Sequence, residues 1–368
     1  MLSICATLLT AMSVLMAQRA SAQVPDIRRD LPASYSHTLH SASAFTTPFK
    51  NQASDGASRE WYLFAPVGAG GAKLASAPVV VYFHGWEINP DPKNDRALIM
   101  HFVRSGYTVI YPRYCSGWCT GFASFLNDAD AAVSAAMWQI QTESAKPTSK
   151  IPPIQTRDGR FVVHHASHSL GSYPSSMLAS KLGTSGATTA PRSLIFFDPA
   201  GHNLAGSALP LNASDLAGIR SDTLMLILGA QQTQGDANAS NTARRLFHRI
   251  PAAKKFAWVV SHQCVSRPTS TSNWVYNTCP TNLGASGTTS NYRYYYSGHN
   301  SMKSTAETVD NMAQVSFFNH ASACLTEAET GVAQNLCSLS GSSAGVWLAP
   351  GGMTTRAKAM TTYSLPAP

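Results

Sequence analysis

Apolar and polar positions along the chain fall into two rhythms. Val79 to Phe83, Tyr107 to Tyr111, Leu194 to Phe197, Leu224 to Leu228 and Lys255 to Val260 are short, mostly apolar runs, and Trp61 to Pro66 is an earlier one. Runs of this length, bounded by Gly, Pro, Asp and Ser, describe strands of a sheet interior covered on both faces. Between them the spacing turns helical. Asn94 or Asp95 caps a helix running to Arg104, with Gly106 as its C′ residue. Asp128 to Gln141 is an Ala-rich helix with acidic residues in its first turn, where the helix dipole favours them. Ser304 and Glu307 form a capping box ahead of Val309, Met312, Ala313 and Phe317 at helical spacing. The Gly/Ser/Thr-rich tail carries a small strand around Val346 to Leu348. Strands alternating with helices predict an α/β fold, a mostly parallel central sheet with helices on both faces.

One stretch, Arg160 to Leu182, organises the rest. It reads as an apolar strand (Phe161, Val162, Val163), a tight turn through Ser167-His168-Ser169-Leu170-Gly171, and a helix. That is the context of a nucleophile elbow, in which a sharp reversal thrusts the central side chain out beyond the strand. The reversal brings backbone close to backbone, so the positions two before and two after Ser169 must be small. Gly171 meets that need, and Ser167 stands where the usual G-x-S-x-G pattern has its first glycine.

A serine hydroxyl is a weak nucleophile at neutral pH and needs a base within hydrogen-bond reach, held in its tautomer by a third group. In a parallel sheet these partners come from loops after other strands. His299, in Ser297-Gly298-His299-Asn300, precedes the last long helix; His262, at the end of the Lys255 to Val260 run, is its rival. Asp198 ends the strand after the elbow helix, with Asp236 as the alternative acid. The backbone N–H groups of Leu170, next to the nucleophile, and of Trp86, in the His84-Gly85-Trp86 loop, are the expected oxyanion donors. His164, His165 and His168 invite a zinc reading. A strand sends alternate side chains to opposite faces and no fourth ligand is near, so they are expected to be packed sheet and elbow residues, with no metal and no organic cofactor required.

Composition narrows the setting. With 368 residues, 44% hydrophobic and 12% charged, the chain has ample material for one α/β domain. Residues 1–22 pair an apolar stretch with Ala20-Ser21-Ala22, the form of a cleaved signal peptide, which predicts a secreted or periplasmic protein. Removing Cys5 leaves six cysteines in three sequence-adjacent pairs, Cys115–Cys119, Cys264–Cys279 and Cys324–Cys337, suited to disulfides in an oxidising compartment. The net charge of +8 is scattered in brief doublets without a nucleic-acid motif, so no nucleic-acid partner is expected, nor any stable membrane insertion. His262 to Ser297, rich in Ser, Thr, Asn and aromatics, reads as an insertion pinned by Cys264–Cys279.

Taken together, HGW after an apolar strand, S-H-S-L-G at the elbow, FFDPAG on the next strand and GHNSM before the final helix resemble the α/β-hydrolase superfamily, over roughly Trp61 to Ala323. An acid in the DPA element is similar to its placement in chlorophyllases, platelet-activating-factor acetylhydrolases and pancreatic-type lipases. The resemblance implies the α/β-hydrolase fold, a triad of Ser169, Asp198 and His299, and hydrolysis of a small-molecule or polymeric carboxylic ester through an acyl-enzyme. Fold similarity is silent on the substrate itself. Acyl transfer or peptidase chemistry on the same triad, and a non-catalytic binding protein on the same fold, are the other readings.

Overall fold

The computed structural model describes residues 49–51, 60–87, 90–114, 122–199, 209–230, 237–262, 264–266, 275–277, 288–289, 292–293, 303, 317–338, 347–349 and 353–359. Residues 1–48, Cys115, Cys119, Asp236, Cys279, His299 and the Ser304/Glu307 capping box lie outside them, as do the side chains of His262 and Cys264.

Among the described residues a ten-stranded sheet carries the fold. Its strands are β1 (Phe49–Asn51), β2 (Trp61–Phe64), β3 (Val79–Phe83), β4 (Thr108–Pro112), β5 (Val163–His168), β6 (Ser193–Phe197), β7 (Leu224–Ala230), β8 (Lys254–His262), β9 (Trp347–Ala349) and β10 (Met353–Ala359). In space they run β1-β2-β4-β3-β5-β6-β7-β8-β10-β9. The six from β4 to β8 are parallel, and antiparallel pairs flank them at both edges. Helices α1 (Arg96–Arg104), α2 (Phe122–Ser144), α3 (Ser172–Thr184), α4 (Ala237–Arg249) and α5 (Asn319–Thr330) connect and cover them.

Alternation along each strand feeds two cores. Val79, Val81 and Phe83 pack with α2 and α3 on one face, while Val80 and Tyr82 pack with α1 and α5 on the other. From β3 the chain crosses through α1 to β4, then returns through α2 to β5 on the other side of β3. Strand order therefore reverses between β3 and β5. The crevice beyond the carboxyl ends at such a switch point is where open α/β sheets place their ligands.

Several boundaries depart from the pattern. The elbow strand is Val163–His168, not Phe161 to Val163; Arg160–Phe161 instead pairs with Thr156–Arg157 in a small hairpin. The polar run His164 to His168 is a strand interior because β3 and β6 take up its backbone on both sides. Helix α2 begins at Phe122, so Asp128 and Asp130 lie well inside it and not in its first turn. Its buried stripe, Phe125, Ala129, Ala132, Val133, Ala136, Met137 and Ile140, extends the helix toward the N-terminus. Asp95 stands at the head of α1 without capping it: its Oδ1 accepts from the buried Tyr82 hydroxyl at 3.0 Å. Gly106, at φ 93°, does take the left-handed position after α1. The tail holds β9 and also β10, whose register with β8 pairs Val260 with Ala357.

Of the three cysteine pairings, Cys324–Cys337 is present as a disulfide with Cα atoms 4.7 Å apart. It closes a 13-residue separation between α5 and the short helix Asn335–Ser338, and the Cys337 carbonyl accepts the Trp258 indole N–H from β8 at 3.2 Å. A loop of this size implies that replacing both cysteines by serine lowers stability by about 3 kcal/mol, read as a shift in the urea midpoint. An unchanged midpoint would show that the packing around Trp258 holds this corner by itself.

Candidate active site

Register brings three loops to one level. Phe83 pairs with Ser167 across β3 and β5, so Gly85, two residues on, lies level with Ser169. His168 pairs with Phe197 across β5 and β6, which sets Asp198 beside the same residue.

Ser169 has φ 54° and follows β5 directly, at the head of a short 3-10 turn that leads into α3. A left-handed backbone is unfavourable for a residue with a Cβ and is held only where the surroundings over-determine it. Here they do. A Cβ added to Gly171 would lie 2.3 Å from the Phe83 carbonyl oxygen and 2.6 Å from that of His84, so the elbow helix sits against β3 at backbone distance. A Cβ on Gly85 would meet Ser169 Cβ at 3.1 Å and His168 Nδ1 at 3.0 Å. Ser167 is fully buried between β3 and β6, where its small size substitutes for the usual glycine. Leu170 stands in the turn that opens the helix, where the first N–H groups have no intrahelical partner.

Asp198 is buried and also left-handed, at φ 44°. Its N–H donates to the Leu228 carbonyl at 2.7 Å and its Oδ1 accepts the Ala230 N–H at 2.9 Å. Asp198 is thus fastened to β7 through both its backbone and one carboxylate oxygen. This is the geometry of a fixed acid rather than of a helix cap.

The HGW loop is held by a residue that sequence reasoning passed over. The ring of His84 stacks on Tyr114, with centroids 4.1 Å apart, and on Tyr111 at 5.2 Å. Tyr114 donates its hydroxyl to the His84 carbonyl at 2.5 Å, and His84 Nδ1 lies 2.6 Å from the Gly85 carbonyl. Since a carbonyl only accepts, Nδ1 carries the proton. The Gly85 C=O and the Trp86 N–H belong to one trans peptide and point in opposite directions, so pinning the first aims the second. One residue further, Glu87 accepts from Asn94 Nδ2 at 3.0 Å and pairs with Lys303, 216 positions along the chain. That ion pair fastens the loop to the segment that follows His299 in the sequence. The signal for His84 was its place before Gly85; nothing local pointed to Tyr114, Glu87 or Lys303.

The three histidines of the elbow strand divide between the faces. His164 Nδ1 is 2.9 Å from Ser193 Oγ and its Nε2 is 3.3 Å from Glu329, at the opposite end of β5 from Ser169. His165 packs edge-on against Phe83 and bonds the Ser175 carbonyl on α3. His168 is buried next to Gly85. They are packed residues of the sheet and elbow, and no His/Cys/Asp/Glu cluster suited to a metal occurs among the described residues.

Burial leaves a pH signature. It lowers His84, His165 and His320 to about 4 and His164 to about 3, so all four are neutral in the fold. Unfolded, each takes up a proton near pH 6.5, so the unfolded state binds more protons between 6.5 and about 4, and stability falls as pH falls through that window. Burial raises Asp95 to about 7 and also raises Glu329, which acts in the reverse sense: those contributions fade as pH rises toward the folded values. Four imidazoles outweigh two carboxyls, and the urea midpoint is expected to drop between pH 6.5 and 4.5. A flat or rising midpoint would show that these imidazoles are not neutral in the fold.

The strand order, the left-handed serine between β5 and α3, and the acid after β6 now stand together. The chain has the α/β-hydrolase fold. Solved structures similar to it include MGS-M1, an α/β-hydrolase enzyme from a Medee basin deep-sea metagenome library, at 15% identity and TM-score 0.40, covering 57% of this chain and 80% of that one. Est1E from Butyrivibrio proteoclasticus matches at 14% and 0.39, covering 58% and 88%. A structure from work on two fungal esterases of Rhizomucor miehei matches at 13% and 0.42, covering 67% and 85%. No family model and no curated protein matches the chain. The α/β-hydrolase assignment rests on the chain's own strand order and elbow, not on these likenesses. Among the described residues, no helix is long and apolar enough to cross a membrane.

Proposed function

We propose that the protein is a serine hydrolase of carboxylic esters. The observation that carries the reading is Ser169, held left-handed at the switch point, level with the Gly85 loop on one side and Asp198 on the other. Ser169 Oγ attacks the ester carbonyl carbon while His299 takes its proton. Asp198 orients His299 and stabilises the imidazolium, and the Leu170 and Trp86 N–H groups receive the oxyanion. The tetrahedral intermediate collapses as His299 returns the proton to the leaving alcohol. Water, deprotonated by the same imidazole, then releases the acid.

Sheet geometry weighs against His262 as the base. It ends β8, three strands from β5, and at about 4.8 Å per strand its backbone lies about 14 Å from that of the elbow strand, beyond the combined reach of the two side chains. Asp198, by contrast, stands on the neighbouring strand, and this favours it over Asp236. Secretion and the other two disulfides belong to the same proposal and rest on the Ala20-Ser21-Ala22 site and the cysteine spacing, as does a single domain on the length.

Hydrolysis of p-nitrophenyl esters from acetyl to long-chain, by the wild type and Ser169→Ala, tests this reading. Activity that vanishes in the variant with circular dichroism unchanged supports it, and the chain-length optimum sizes the acyl site. Equal inactivity of both forms would favour a binding protein on this fold.

A further inference from the structure

Two flanks hold the peptide whose N–H is expected to receive the oxyanion. On the near side His84 Nδ1 bonds the Gly85 carbonyl and fixes the plane of the Gly85–Trp86 peptide. On the far side stands Glu87, the residue after Trp86, and both of its carboxylate oxygens are engaged. Oε2 accepts from Asn94 Nδ2 at 3.0 Å, in the turn ahead of α1, and Oε1 accepts from Lys303 Nζ.

This ion pair is set into the molecule. The Glu87 and Lys303 side chains are only 11% and 18% exposed, so solvent and salt screen them little. A second carboxyl faces the same ammonium: burial pushes Asp95 up to about 7, and Lys303 works against that rise. Exposed pairs contribute little, but removing one partner of a mostly buried pair leaves a charge without its counterpart, and the segment that carries it must rearrange. Here that segment is the oxyanion loop itself. A Cβ on Gly85 would stand 3.1 Å from Ser169 Cβ, so a displaced loop changes the place of the Trp86 N–H relative to the nucleophile. Lys303 also follows His299 by four residues, a length of chain that spans at most about 14 Å.

We propose that Glu87 and Lys303 are positioning residues for ester hydrolysis: their ion pair aims the Trp86 N–H at the oxyanion and, through the four residues between Lys303 and His299, ties the oxyanion loop to the segment that carries the base. Both act through other groups and neither touches the substrate. Their role depends on the ester-hydrolase chemistry of Ser169.

Steady-state kinetics of the full chain on a p-nitrophenyl ester, for the wild type, Glu87→Gln, Lys303→Met and the double variant, tests this. Each single variant, with circular dichroism unchanged, should lose about tenfold in kcat with KM nearly constant, short of the roughly 10²- to 10³-fold lost when an oxyanion donor is removed outright. The double variant should lose no more than the worse single, since one interaction is broken in all three. Inhibition by a trifluoromethyl ketone, whose serine adduct carries an oxyanion, should weaken by about the same factor in each. A purely structural role would shift the urea midpoint and leave kcat and this inhibition unmoved. If Glu87→Gln fails to fold, Lys303→Met decides. Variants that keep the kcat of an active wild type, or losses that multiply in the double variant, would overturn the proposal and leave the ester-hydrolase reading in place. A wild type that turns over no ester would overturn both.

Discussion

Asp198→Asn is expected to lower kcat on a p-nitrophenyl ester about 10⁴-fold with the fold intact, the scale of the loss when a triad acid becomes its amide. Asp198 is buried and left-handed at φ 44°, with the Ala230 N–H on its Oδ1 and its backbone N–H on the Leu228 carbonyl, both in β7. An asparagine oxygen can still accept from Ala230, so geometry survives. What is lost is the negative charge that stabilises the imidazolium and fixes its tautomer. KM should change far less than kcat, because the acid does not touch the substrate. A loss of only a few-fold would remove Asp198 from the triad and return attention to Asp236.

Gly171→Ala carries the largest structural effect. The added Cβ would stand 2.3 Å from the Phe83 carbonyl oxygen and 2.6 Å from that of His84, both backbone atoms that cannot turn aside. The elbow helix must shift away from β3, at a cost of about 3 kcal/mol or more, in the range of severe overpacking. Even a folded variant should lose activity, since the shift moves Ser169 relative to the Gly85 loop. Urea midpoint and ester turnover, measured together, check both parts. A variant with wild-type values for each would mean that the close approach of α3 to β3 is not required.

The strands β3, β4, β6 and β7 were legible because each is mostly apolar and buried on both faces, and such runs carry their own signal, as does the apolar middle of β8. The elbow was legible through Gly171 and the strand-turn-helix order, although its strand was misplaced. Ser167 and His168 read as part of the turn, and contacts with Phe83, Ser193 and Ser175, outside the run itself, explain how so polar a strand is buried. For the same reason β10 was hidden in a Thr- and Lys-bearing tail: an edge strand answers to its partner β8 more than to its own composition. Asp198 was visible as the carboxylate ending an apolar strand. Tyr114 and Lys303 were not, because their roles consist of contacts across 30 and 216 positions that no local pattern encodes.

Whether Ser169 is an activated nucleophile is decided by treating the folded chain with a fluorophosphonate and mapping the adduct by mass spectrometry. A single adduct is expected on the peptide containing Ser169, with ester hydrolysis lost in proportion to labelling and no adduct in Ser169→Ala. An adduct on another serine, or full hydrolysis with Ser169 blocked, would contradict that role.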